Sequence, residues 1–92
     1  MRIAWWSIAR AYRSLGRLDE ALAIQQRLER ETADDPDGYV YEELGEILLA
    51  KGDAAAARPN FARAYALLGN DAGLQAQAPE RLARLKRLGG AE

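Results

Sequence analysis

The chain has neither cysteine nor histidine among its 92 residues. Without cysteine there can be no disulfide and no thiolate metal site, and the redox compartment is left open. Without histidine the commonest general base, pH switch and metal ligand are missing together. Serine occurs only as Ser7 and Ser14, and neither sits in a glycine-rich phosphate loop or a nucleophile elbow. No run of 18 apolar residues could form a membrane span, and no apolar run behind the basic start makes a signal peptide. The expectation is therefore a cytoplasmic protein that is not an enzyme and holds neither cofactor nor metal. A formal net charge of −1 disfavours a surface built throughout for polyanions.

What is present is repetition. The stretch Trp5-x2-Ile8-Ala9-x2-Tyr12, Gly16, Ala21-x3-Gln25-x2-Leu28 is followed 36 residues later by Tyr41-x2-Leu44-Gly45-x2-Leu48, Gly52, Ala57-x3-Phe61-x2-Ala64. Large residues fall on large ones, small on small, and a glycine punctuates both copies at one offset. An internal period of this length marks stacked supersecondary units. At 92 residues they form a single domain, large enough for a core but short of the bulk that supports an elaborate active site.

On these residues the chain resembles the tetratricopeptide repeat family, whose pattern is aromatic, Leu-Gly and aromatic on one helix, then Ala and an aromatic on the next. Leu44-Gly45, Ala57, Phe61 and Ala64 match the pattern well. The first copy keeps Trp5, Tyr12 and Ala21 but has Ile8-Ala9 for Leu-Gly and Gln25 for the aromatic. The period exceeds the usual ~34 residues, and the extra residues fall in the linker Asp34-Asp35-Pro36-Asp37-Gly38. The resemblance implies an all-α, right-handed superhelix of antiparallel helix pairs, with repeats at about 2–35 and 38–71. A C-terminal capping helix at about 79–88 brings the expected number of helices to five. It also implies a protein–protein interaction module or scaffold that binds a peptide or protein partner on its concave surface.

Local signals define the helices. The first should span Arg2 to Leu15, with Trp5, Ile8, Ala9, Tyr12 and Leu15 inward, and end at Gly16. The second starts near Leu18, with Asp19 and Glu20 favoured by the helix dipole, and turns Leu18, Ala21, Leu22, Gln25 and Leu28 inward. Asp35 is the expected cap of a third helix opening on Pro36 and running to Lys51, with Tyr41, Leu44, Gly45 and Leu48 inward. Asp53 caps a fourth, Ala54 to Leu68. The small residues Ala9, Ala21, Gly45 and Ala57 set how closely the helices approach. Pro59 conflicts with the fourth helix at a cost of roughly 3 kcal/mol, so a kink or a late start is expected. Asp71 to Ala78 is weakly patterned. Pro79 opens a last helix with Leu82, Leu85 and Leu88 on one stripe and Arg81, Arg84, Lys86 and Arg87 off it, suited to a cap with a polar outer face.

Each candidate site has a plainer reading. Glu42 and Glu46, at i and i+4, could work as an acid and base or hold a hard cation, but glutamates on helix surfaces are far more often solvated. The acidic stretch Glu29, Glu31, Asp34, Asp35, Asp37, Glu42, Glu43 and Glu46 lacks the calcium-loop pattern and reads as a solvated linker and helix face. In the resembled family the first helix of each repeat lines the groove. Here that places Ile3, Trp6, Arg10 and Arg13 on a basic, aromatic side and Tyr39, Glu42, Glu46 and Leu49 on an acidic one. The candidate partner-binding residues are Trp6, Arg10, Arg13, Tyr39, Glu42 and Glu46. The family's grip on a C-terminal carboxylate by Lys and Asn is missing, because Trp6, Arg10, Glu42 and Glu46 hold those positions. Trp5 and Trp6 point about 100° apart on a helix, so Trp6 is left as a partner contact or as packing against the next helix. Two repeats are fewer than usually bury a stacked core, and homodimerisation through the Met1 to Tyr12 edge would cover the exposed side. Nucleic-acid binding through the basic last helix is the rival reading. It is disfavoured by Asp19, Glu20, Glu29 and Glu31 on the second helix, where phosphate would be repelled.

Overall fold

The computed structural model describes residues 5–90, with side chains from Ser7 to Gly90. It contains α1 (Trp5–Ser14), α2 (Leu18–Glu31), α3 (Gly38–Ala50), α4 (Ala54–Leu68), α5 (Ala72–Gln77) and α6 (Pro79–Leu88). These six helices exceed the expected five because the weakly patterned stretch forms α5. Its start is secured by Asp71, whose carboxylate accepts from the Leu74 N–H at 3.0 Å. There is no strand among the described residues, in agreement with an all-α fold. Helices α1 and α2 form one hairpin and α3 and α4 a second. The hairpins stack through α2 and α1 on α3, and α6 packs on α4 where the first helix of a third pair would stand.

Both hairpins turn by the same device. Gly16 and Gly52 adopt φ of +79° and +84°, a region glycine enters at little cost. The Gly16 N–H donates to the Arg13 carbonyl at 3.0 Å and Arg17 N–H to Tyr12 at 2.9 Å. Gly52 repeats this with Leu49 at 3.0 Å, and Asp53 with Leu48 at 2.9 Å. These are the two bonds of a Schellman ending. Leu15, expected inward, is 72% exposed. It occupies the cap position, whose counterpart 36 residues on is the exposed Lys51.

The start of α3 also departs from expectation. Asp37, not Asp35, is the cap, accepting from the Tyr39 N–H at 2.9 Å, and the helix opens at Gly38 rather than Pro36. Tertiary packing decides between these neighbouring start signals. Gly38 lies so close to the end of α4 that a Cβ there would stand 2.5 Å from Leu68 Cγ. At α4 the expected cap holds, with Asp53 accepting from the Ala56 N–H at 3.1 Å. The helix begins at Ala54 despite Pro59, so it does not start late. Pro59 is exposed, and beside it the Asn60 side chain donates to the Ala56 carbonyl at 3.0 Å.

The core is uneven. Ala57, Phe61, Ala64, Leu68, Leu82 and Leu85 form its larger part, joining α4 to α6. Ala9, Ala21 and Ile47 form a smaller part between the hairpins. Residues all round α3 are buried: Val40, Glu42, Glu43, Leu44, Gly45 and Ile47. Gln25, in the position where Phe61 stands in the second copy, is fully buried and donates to the Val40 carbonyl at 3.0 Å. Its Oε1 finds no partner.

Gly45 on α3 lies close against Phe61 on α4, where an added Cβ would meet the ring at 2.8–2.9 Å. Gly45→Ala should therefore destabilise the fold. The ordinary helical gain of about 0.5–1 kcal/mol is outweighed by overpacking of about 1–3 kcal/mol against a ring that cannot move aside. Thermal denaturation followed by circular dichroism should show a lower Tm than the parent chain.

Candidate functional site

The first helices of the two hairpins and α6 enclose a cleft of about 380 Å³, lined by Arg10, Arg13, Tyr39, Glu42, Glu43, Glu46, Glu80, Arg81 and Arg84. Three arginines grip three glutamates of α3 there, each by a two-pronged pair. Arg13 Nε and Nη2 donate to Glu43 Oε2 and Oε1 at 2.5 and 3.3 Å. Arg84 donates to Glu46 at 2.5 and 2.9 Å. Arg81 Nε donates to Glu42 Oε2 at 2.8 Å, and its Nη2 to Glu42 Oε1. The planar guanidinium fork suits this arrangement, and the charge strengthens each bond.

Aromatic rings back the α6 arginines. Arg81 lies 5.1 Å from the Tyr39 ring centroid and Arg84 5.8 Å from that of Phe61, within the range of cation–π attraction. The hydrogen bond to Glu42 raises the Arg81 pKa above the usual arginine value, as the bond to Glu43 does for Arg13. Burial pushes the Glu43 carboxyl above the ordinary carboxylate range, with Arg13 pulling the other way. Only 5% of Glu43 is exposed, so desolvation of the anion prevails.

Five of the six candidate partner-binding residues, Arg10, Arg13, Tyr39, Glu42 and Glu46, line this one cleft. The side chain of Trp6 and all of Ile3 lie outside the described residues, as do residues 1–4 and the Trp5 side chain of the Met1 to Tyr12 edge expected to dimerise. Leu49 instead packs against the Phe61 cluster. The expected acidic side is not an open acidic surface. Glu42 and Glu43 are buried rather than solvated, and Glu42 and Glu46 are neutralised by α6. Arg81 and Arg84 accordingly face into the cleft, leaving Lys86 and Arg87 exposed on the cap. The missed residues are Glu43, Glu80, Arg81 and Arg84. The i, i+3 spacing of Arg81 and Arg84 against the i, i+4 spacing of Glu42 and Glu46 was the available signal for two of these pairs.

With three pairs closed, Arg10 on α1 and Glu80 at the start of α6 are the cleft residues that carry a charge without an ion pair among the described residues. They stand on different helices. The Glu42 and Glu46 carboxylates, whose spacing would suit an acid and base, each accept two bonds from a guanidinium. A tetratricopeptide repeat family model matches residues 3–33, the part that holds α1 and α2. No curated protein and no solved structure gives a match.

Arg13→Ala should strand the Glu43 anion and cost about 1–3 kcal/mol at neutral pH. A folded pKa raised above the unfolded one means that the carboxyl's contribution is complete below the unfolded pKa. It is lost as pH rises through the folded one. The Arg13→Ala penalty should thus shrink on acidification, as Glu43 protonates. Carboxyl-detected NMR titration should find Glu43 titrating above the ordinary carboxylate range, and urea melts across pH 4 to 7 should show the shrinking penalty.

Proposed function

We propose that the chain, whose residues 3–33 match a tetratricopeptide repeat family model, is a protein-interaction module whose charged cleft receives a peptide or protein segment. Repeats of this family generally mediate protein–protein interactions and do no bond chemistry. The observation that carries the reading is the cleft itself, walled by the first helices, α1 and α3, and by α6. Its centre is neutral and its donors and acceptors are satisfied, so it offers shape there rather than charge. The unpaired charges, Arg10 on α1 and Glu80 on α6, select a segment with an acidic group toward α1 and a basic group toward α6. Nucleic acid is less well served, because Arg81 and Arg84, half of the cations counted on the last helix, are held by glutamates. Among the described residues no helix is long and apolar enough to cross a membrane.

Peptides selected from a displayed random library against the whole chain test this reading. Arg10→Glu and Glu80→Arg should each weaken the selected peptides by roughly tenfold, about 1.4 kcal/mol, in fluorescence anisotropy. Arg30→Glu, on the exposed side of α2, should leave them unchanged. Selected peptides that ignore both cleft variants would overturn the reading.

A further inference from the structure

Helix α6 enters the cleft as a ligand would. Arg81 and Arg84 are each taken by a carboxylate pair and by an aromatic ring, one through Glu42 and Tyr39 and the other through Glu46 and Phe61. Leu82 and Leu85, one position further on in each case, are buried in the α4 cluster. The face of α3 and α4 is thus a socket for an arginine–leucine helix, and its present occupant is held by a light tether. Helix α5 has six residues and buries none of them. Ala78, between α5 and α6, caps α6 with no side-chain bond. The ten residues from Gly69 to Ala78, drawn out, span about 33 Å at ~3.3 Å per residue. That is comparable to the longest dimension of the molecule, 34 Å.

We propose that α6 exchanges between two copies of this chain, so that the cleft of each copy is walled by Arg81 and Arg84 of the other. The contacts α6 makes with α3 and α4 in the single chain are available again in the pair. Exchange of an identical element is a low-cost route to a closed, two-fold dimer. The free-energy difference then lies mainly in the tether and in concentration, because the tethered helix competes at an effective concentration in the millimolar range. The single chain is accordingly favoured when dilute, and the exchanged pair when the protein is refolded concentrated. This uses the cleft only as the socket of α6. A failure of peptide selection would leave it standing, and a failure of exchange would leave the peptide reading standing.

A charge-swap experiment on the full chain tests it. One variant carries Glu42→Arg and Glu46→Arg, the other Arg81→Glu and Arg84→Glu. Within either variant α6 meets like charge. Mixed in equal amounts and refolded together, the two variants have complementary sockets only across the pair. The expected result is a species of twice the 10.2 kDa chain mass in analytical ultracentrifugation, melting well above either variant alone. A mixture that sediments and melts as the sum of its components overturns the proposal. Should either variant fail to fold alone, the unaltered chain supplies the second measurement. Isotope-labelled and unlabelled chains, co-refolded at millimolar concentration, should show intermolecular proton contacts between Arg84 and the Phe61 ring. Contacts confined to single chains would overturn the proposal.

Discussion

Helix α3 cannot be solvated, and the rest of the molecule is arranged to make that tolerable. It carries Glu42, Glu43 and Glu46 within little more than one turn, between α1, α2 and α4. Two of the three are buried. An unpaired buried carboxylate is costly, and it becomes acceptable when a guanidinium supplies both charge and donors. The cations arrive from opposite directions, Arg13 from the preceding hairpin and Arg81 and Arg84 from the helix that closes the stack. The central helix thereby ties together three parts of the chain. It sets the orientation of α1 and α6 around it, and those two helices make the cleft.

The apolar packing follows a simpler rule, in which small residues meet large ones. Gly45 lets the Phe61 ring lie against α3, and the first copy has Ala9 and Gln25 at the equivalent places, both fully buried. A bulkier residue at one position is matched by a narrower side chain at the other. Gln25 brings a polar end with it. Its amide nitrogen is satisfied by the Val40 carbonyl while its oxygen is not, a local penalty absent from the second copy. The larger apolar cluster lies around Phe61, so the second hairpin with its cap is the better-packed half.

What could be read from the sequence was whatever depends on neighbours along the chain. The Gly16 and Gly52 turns, the Asp53 cap, the limits of α4 and the opening of α6 at Pro79 are local signals, and the structure has each of them. The cap of α3 was harder, because Asp35-Pro36 and Asp37-Gly38 both look like helix starts. The choice rests on how Gly38 meets Leu68 from the far end of the next helix. The cleft followed the same division. Its members on α1 and α3 could be named from repeat phase, but the partners of Glu42, Glu43 and Glu46 lie 39, 30 and 38 positions away. A run of acids looks the same in sequence whether water or arginine surrounds it. Only the stacking of three helices distinguishes the two cases, and it turns a solvated stripe into a buried, neutral floor.

Every cation in that cleft is an arginine, while the chain's two lysines, Lys51 and Lys86, lie elsewhere. Lysine is the residue that acetylation and ubiquitin ligation target. Enzymes writing those marks could decorate the exterior of this domain without changing the charge of the groove. Amine-reactive labels on those lysines would likewise leave the cleft intact, whereas a dicarbonyl reagent selective for guanidinium would strike it directly.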